Sequence, residues 1–466
     1  MAAGPEWHDR AAVISTGDEL VLGESADTNA RDLAERLWGL GIEVIEHVTL
    51  GDDRGATRDA LLRLGAAAPL VITTGGLGPT ADDLVREALA DALGEGLVVD
   101  EGALRALEAR FAARGRPMTD AQRRQAMRPE SARCLENPHG TAPAIYAVLG
   151  AGARGGGADV FCLPGPPREW MPLFDRLVAP MLRVRPGRAV ATRLVHAVGI
   201  GEGDAAARLG AMLERGRLPR VGITVAGGVV TLRVRCVVES AEEGRGRPSA
   251  AALVEADERA IRAGLGVHVF GTGEETPAGS VVRRLAARGR RLAVVESCTG
   301  GLLGGAITAV AGSSAVFVGG WITYSNAMKA AAVGVTRATL EARGAVSAEA
   351  AAEMARGGLE RMAVDEACAG GRPVAGRHCV AVTGIAGPEG GTAAKPVGTV
   401  FVAHAWAEGG GGSPAAGVDV RRFLIGGVRE DVRQRSVTTA LAMLHLWLEQ
   451  GEGCAATPLL WQVAAG

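Results

Sequence analysis

A serine that follows an apolar strand and opens onto glycines can act as a nucleophile. Ser297 stands in that setting, after Leu292–Val295 and inside Glu296-Ser-Cys-Thr-Gly-Gly. Backbone N–H groups in such a turn can hold a phosphate or an oxyanion, although ordinary loops use the same residue types. A serine nucleophile needs a base, and none of the eight histidines lies in a polar turn beside Ser297. Lys329 does lie in a polar turn, Thr323-Tyr-Ser-Asn-Ala-Met-Lys. Of the 50 Lys and Arg residues only Lys329 and Lys395 are lysines, so nearly every cation is an arginine that cannot lose its proton. A desolvated lysine can lose its proton and serve a serine as base. The S-x-x-K box is absent, because Gly300 stands three residues after Ser297. Cys298 is a rival nucleophile, since a helix N-terminus lowers a thiol pKa, yet a buried structural cysteine is the commoner case. Lys395 either binds phosphate or supports the loop before its strand.

Three further strand ends carry acidic or glycine-rich turns: Thr16-Gly-Asp-Glu-Leu, the run from Thr73 to Asp83, and Leu163-Pro-Gly-Pro-Pro. The second can cradle phosphates with backbone N–H groups, with Asp82 and Asp83 holding Mg²⁺ or another hard cation. Helix capping by Thr80 and first-turn acids accounts for the same residues equally well.

These turns must be positioned by the elements around them. Apolar runs at 12–16, Val44–Val48, Leu70–Thr73 and Phe161–Leu163 read as strands, and Asn29–Leu40, Arg54–Leu64 and the segment after Pro79 as helices. That alternation predicts a parallel sheet covered by helices over 1–183. From 184 to 274, strands Thr192–Val198, Val221–Val225 and Val229–Val238 with helices Asp204–Arg215 and Ala250–Gly264 predict a small α+β unit, with a turn at Arg245–Pro248. A third α/β unit spans 275–450. Its helices are Pro277–Arg288, Arg337–Arg343, Ser347–Met362 and Arg429–Glu449. Its strands are Leu292–Val295, His378–Val382, Val397–Ala405 and Val418–Leu424, with a glycine loop at Gly409–Gly412. The segment 451–466 reads as a loose tail.

Length and composition agree. At ~150 residues per domain, 466 residues suggest about three domains. A net charge of −2 supplies no global field for nucleic acid or anionic membrane. Seven scattered cysteines without a CxxC pair argue against a disulfide framework and a thiolate zinc site, and favour a reducing, cytoplasmic setting. The start of the chain lacks a signal-peptide pattern. Thr299–Met328 carries no charge, but its glycines favour helix, turn and buried strand over a membrane span.

The ordered motifs Glu296-Ser-Cys-Thr-Gly-Gly, Gly312-Ser-Ser, Thr323-Tyr-Ser-Asn-x-x-Lys, Gly344-Ala-Val-Ser, Val382-Thr-Gly-Ile-Ala-Gly-Pro and Lys395-Pro-Val-Gly-Thr-Val resemble the CinA C-terminal family. The N-terminal motifs, with Asp27-Thr-Asn and Asn137-Pro-His-Gly-Thr-Ala-Pro, are similar to the CinA N-terminal, MoaB/MogA-like domain, and the middle unit to its KH-like domain. The resemblance implies an α/β chain of three parts and a pyridine-nucleotide salvage enzyme. Its C-terminal domain would hydrolyse nicotinamide mononucleotide to nicotinate mononucleotide and ammonia without a cofactor. Ser297 would be the nucleophile, Lys329 its base and Tyr324 an assistant. Glu296, Thr299, Gly300, Asn326, Thr383 and Gly384 would line the pocket, and Arg429 and Arg433 would meet the phosphate. The family usually shows Asp where Val428 stands. The N-terminal domain would cleave ADP-ribose with a divalent metal of the Mg²⁺ or Co²⁺ class. There Thr74, Gly75, Gly76, Gly78, Pro164 and Gly165 would bind substrate and Asp52, Asp82 and Asp83 the metal. The same resemblance implies a homodimer and no membrane partner. Nucleic acid is disfavoured, because Gly199-Ile-Gly-Glu-Gly-Asp is acidic where phosphates would sit. The competing readings are a non-enzymatic nucleotide- or pterin-binding protein in competence or DNA-damage responses, and an amidase whose N-terminal domain only binds nucleotide.

Overall fold

The computed structural model describes residues 5–150, 157–239, 248–368, 374–409 and 417–464, with 363–368 as backbone alone. It divides into two units, one of 1–191 with 237–250, the other of 192–236 with 251–466.

The first unit is built on β1 (Arg10–Thr16), α1 (Thr28–Gly39), β2 (Glu43–Leu50), α2 (Arg54–Ala67), β3 (Leu70–Thr74), α3 (Val85–Leu93), α4 (Glu101–Ala113), β4 (Arg133–Leu135), β5 (Ala144–Leu149), β6 (Ala158–Leu163) and α5 (Pro167–Leu173). The sheet order is β2-β1-β3-β6-β5-β4. The strands read from sequence form its parallel part, whereas β5 and β4 extend it antiparallel. Successive strand residues face opposite ways. Ala11 and Val13 therefore pack with Leu33, Leu37 and Trp170, while Ala12 and Ile14 pack with Leu61, Leu64 and Leu89. A sheet buried on both faces reads as continuous apolar strands, which is why β1 and β3 were legible.

The second unit contains a four-stranded antiparallel sheet from β7 (Arg188–Val198), β8 (Arg220–Ala226), β9 (Val229–Glu239) and β10 (Val269–Thr272), with α6 (Glu202–Leu209) and α7 (Ala250–Leu265). The turn expected at Arg245–Pro248 falls mostly outside the described residues. The larger domain follows as α8 (Pro277–Ala287), β11 (Arg290–Glu296), α9 (Leu302–Thr308), β12 (Phe317–Ile322), α10 (Asn326–Val333), α11 (Arg337–Arg343), α12 (Ala348–Cys368), β13 (Gly376–Gly384), β14 (Thr399–Glu408), β15 (Gly417–Leu424), α13 (Arg429–Gln450) and β16 (Gln462–Val463). Its sheet order is β12-β11-β13-β14-β15-β16. Leu292 and Val294 face a core with Leu441 and Leu444 of α13, and Ala293 and Val295 face Met354 and Leu359 of α12.

Two expectations need correction. Lys329 lies in the first half of helix α10, not in a turn, because Ser325 caps that helix by accepting from the Met328 N–H. The C-terminal segment is not loose: a 3₁₀ stretch at Gly451–Ala456 leads to β16, which pairs with β15. Arg421 holds it by donating to the Thr457 and Cys454 carbonyls. The glycine loop from 410 onward lies outside the described residues. Among the described residues no helix is long and apolar enough to cross a membrane.

Candidate active site

The register of β11 sets Glu296 beside Ile322 of β12 and Val382 of β13. The residues that follow them, Ser297, Thr323 and Thr383, therefore emerge together at the carboxyl ends of parallel strands, where open α/β sheets place ligands. The Ser297 N–H donates to the Val382 carbonyl, and the Thr323 N–H to the Glu296 carbonyl.

Lys329 rises from α10 beneath this junction and is 1% exposed. Its Nζ lies 3.0 Å from Ser297 Oγ, 2.7 Å from the Thr323 carbonyl and 3.3 Å from the Tyr324 carbonyl. Burial pushes its pKa below 10.5, against a smaller opposing influence from the Cys298 thiol. A neutral amine has two N–H groups and one lone pair. As an ammonium Lys329 donates to all three oxygens; in the neutral form the two carbonyls can take both N–H groups and leave the lone pair facing Ser297 Oγ.

Glu296 spends its carboxylate on the local backbone. It is 1% exposed, and its carboxylate accepts from the N–H groups of Gly301, Leu303 and Gly304 at 2.8–3.0 Å. It therefore satisfies the orphan donors at the start of α9, which sequence reasoning had offered to a phosphate. Cys298 is buried and its thiol is pushed up to about 11 by burial, which suits structure rather than nucleophilic attack.

Tyr324 is 64% exposed, and its hydroxyl accepts from Arg429 Nη2 at 3.5 Å, while Arg429 Nη1 donates to the Gly387 carbonyl at 2.6 Å. Arg433 instead donates to the Cys298 and Thr299 carbonyls, so it braces the loop that carries Ser297. The Val428 N–H donates to the Asp431 carboxylate, one half of a capping box; the other half, a cap side chain accepting from the first-turn N–H groups, is what an aspartate at 428 would add and valine lacks. Thr299 and Thr383 are fully buried; the Thr383 hydroxyl donates to the Ala345 carbonyl, and Gly384 pairs with Val400 in the sheet. Gly300 approaches Arg433, and Asn326 is exposed at the start of α10. Lys395 donates to the Arg343 carbonyl and so supports its loop.

In the first unit, the corresponding strand ends surround a cavity of about 560 Å³. Thr74, Gly75, Gly76, Gly78, Pro164 and Gly165 all line it, as do Asp52, Asp82 and Asp83. Gly75 is required: it adopts φ +99°, and a Cβ there would lie 2.4 Å from the Thr16 carbonyl oxygen. Asn29 of α1 ties that helix to the Gly165 turn and to α5, donating to the Gly165 carbonyl and accepting from Trp170 Nε1.

Asp83 lines the cavity and commits its carboxylate to the glycine loop. Its carboxylate accepts from the Gly78 and Thr80 N–H groups at 2.8 Å and from the Thr80 hydroxyl, folding the glycine loop as a cap. Asp52 and Asp82 keep their place in the cavity. Asp52 is raised in pKa, chiefly by burial and then by Asp18, Asp82 and Glu19. Asp18 and Glu19 belong to the acidic Thr16-Gly-Asp-Glu-Leu turn, but nothing in the sequence sets them individually beside Asp52. Among the described residues no three His, Cys, Asp or Glu side chains gather to hold an ion.

The folds and sites define a three-part α/β chain with a serine–lysine pair at one strand end and a glycine-rich acidic cavity at another. Residues 12–184 match the probable molybdopterin binding domain, 192–271 the damage-inducible protein CinA KH domain, and 274–448 the CinA C-terminal domain. The chain is 40% identical to a putative competence-damage inducible protein of Symbiobacterium thermophilum, covering 94% of this chain and 98% of that one. It is likewise 40% identical to a CinA-like protein of Anaeromyxobacter, with the same coverage. A crystal structure of the competence/damage inducible protein CihA from Agrobacterium tumefaciens is 38% identical over 38% of this chain and 98% of its own, with a TM-score of 0.31. The chain belongs to the CinA family.

Proposed function

We propose that the C-terminal domain is a nicotinamide-nucleotide amidase, releasing ammonia from nicotinamide mononucleotide to leave nicotinate mononucleotide. The observation that carries this reading is the buried Lys329 amine 3.0 Å from Ser297 Oγ, with two backbone carbonyls occupying its N–H groups. Neutral Lys329 takes the Ser297 proton as Oγ attacks the carboxamide carbon. It returns that proton to the departing amine, so ammonia leaves and an acyl-serine remains. Water, deprotonated by the same amine, then releases the carboxylate. Tyr324 and Arg429, linked to each other beside the pair, bind the nucleotide portion. The test is ammonia release from the mononucleotide by wild type, Ser297→Ala, Cys298→Ala and Lys329→Arg. The reading requires activity in wild type and Cys298→Ala and none in the other two; a folded wild type that releases no ammonia defeats it.

The acidic, glycine-lined cavity favours a second activity, hydrolysis of the diphosphate of ADP-ribose. Glycine-loop N–H groups suit phosphate oxygens. Mg²⁺ commonly rides on one or two carboxylates plus substrate phosphates, and Asp52 and Asp82 fit that arrangement better than a preformed cage. Held by Asp52 and Asp82, such an ion would neutralise charge on the diphosphate; the loop orients the diphosphate, and Asn29 ties α1 to the Gly165 turn. Loss of AMP formation in Asp82→Asn with stability intact would support this, and retained activity would defeat it. The small-molecule partners, the reducing cytoplasmic setting and the homodimer belong to the same proposal.

A further inference from the structure

Gln125 follows helical residues 120–124 on a wall of the first unit's cavity, and no motif drew attention to it. It is 1% exposed, yet among the described residues its Oε1 has no hydrogen-bond partner. Leaving a buried carbonyl unsatisfied is costly, so an unpaired acceptor on a cavity wall points to a donor that arrives with the ligand. The backbone around Gln125 is tied on both sides. Arg124, its neighbour, donates through both Nε and Nη2 to Glu87 Oε1, which fixes the backbone on one side. On the other side the Ala126 carbonyl accepts from the Asp100 N–H at 2.8 Å.

We propose that Gln125 is the specificity-determining residue of this cavity and recognises the 6-amino group of an adenine base. The inference rests on the diphosphate-hydrolase reading and deepens it. A diphosphate has no donor to offer Oε1 at neutral pH, because its oxygens only accept. Ribose hydroxyls donate and accept in any direction and carry little selectivity. An exocyclic amine is a directional donor, and a glutamine amide suits the adjoining donor and acceptor of adenine. Hypoxanthine, with a carbonyl in place of the amine and a hydrogen on N1, meets oxygen with oxygen unless the amide turns over.

The experiment compares kcat/KM for ADP-ribose and for its hypoxanthine counterpart in wild type, Gln125→Met and Gln125→Glu. Wild type should prefer the adenine compound by about tenfold or more. Gln125→Met should lose that preference by slowing the adenine compound alone, and Gln125→Glu, which keeps the acceptor for the amine and loses the donor for the ring nitrogen, should retain it in smaller measure. Equal rates in wild type overturn the assignment without recourse to any variant, as does an equal fall for both compounds in Gln125→Met. Should wild type hydrolyse neither compound, the hydrolase reading falls separately. Calorimetric binding of the same two compounds then decides: preference for adenine, lost in Gln125→Met, sustains the role of Gln125, and equal or absent binding ends it.

Discussion

The two strand-end sites share a backbone problem and differ in what remains once it is solved. In each, a glycine-rich turn leaves N–H groups that a nearby carboxylate collects: Asp83 takes those of Gly78 and Thr80, and Glu296 those of Gly301, Leu303 and Gly304. Around the first, Glu19, Asp27, Asp52 and Asp82 share a broad cavity with Asn29 and Gln125, and Asp52 is pushed up by burial and by its acidic neighbours. Around the second stand a hydroxyl and an amine, both buried, and burial pushes the amine down. The difference teaches that the loop carboxylate is scaffold in both places. Chemistry resides in whatever the neighbouring strand or helix adds.

The comparison breaks most visibly at Lys329. Lys329→Arg keeps a cation and removes the base, so ammonia release should fall on the order of 10⁴-fold, comparable to disabling one member of a catalytic triad. A fall below tenfold would show that the amine does not act as base. The pH profile sharpens the same point. Lys329 acts when neutral, so kcat/KM should rise with pH through its lowered pKa and level off below 10.5. A limb at or above 10.5 would contradict burial as the cause. Linkage gives the same sign: the unfolded lysine holds its proton where the folded one has lost it, so this residue's contribution to stability should rise with pH across the window between the two values.

Next come the scaffolding carboxylates. Glu296→Gln keeps shape but loses charge against three backbone donors, and should cost about 2 kcal/mol of stability. It should also weaken the amidase, readable in denaturant titration and ammonia release together. Asp83→Asn should loosen the glycine loop and lower the unfolding midpoint, whereas Asp82→Asn, whose carboxylate is exposed, should leave the midpoint in place and remove diphosphate cleavage. Equal behaviour of the two aspartates would erase the distinction between cap and ligand. The smallest effect belongs to Cys298→Ala: a thiol held near 11 should be alkylated slowly at neutral pH, and its loss should change ammonia release by less than about threefold.

Much of this was legible because doubly buried strands announce themselves. β1, β3, β11 and β13 are apolar runs, and Ser297 and Lys329 stood out by position and by the scarcity of lysine. What stayed hidden were the uses of polar groups. Nothing in the order Glu296-Ser297 says which side chain turns to the helix and which to the pocket. Asp82 and Asp83 are alike in sequence and differ only in where the loop aims them. Helix α10 escaped notice because its apolar and small residues lack a strong amphipathic period, so Lys329 read as part of a turn. Gln125 carried no signal, since a glutamine matters only where burial leaves it unpaired.

The near-replacement of lysine by arginine makes the protein sparse to a spectroscopist. Isotope labelling of lysine alone should give two ε-carbon resonances, one from Lys395 on the Arg343 carbonyl and one from Lys329 beside Ser297. The protonation of the proposed base can thus be followed in the intact, unmutated chain, with its companion as an internal reference in the same tube.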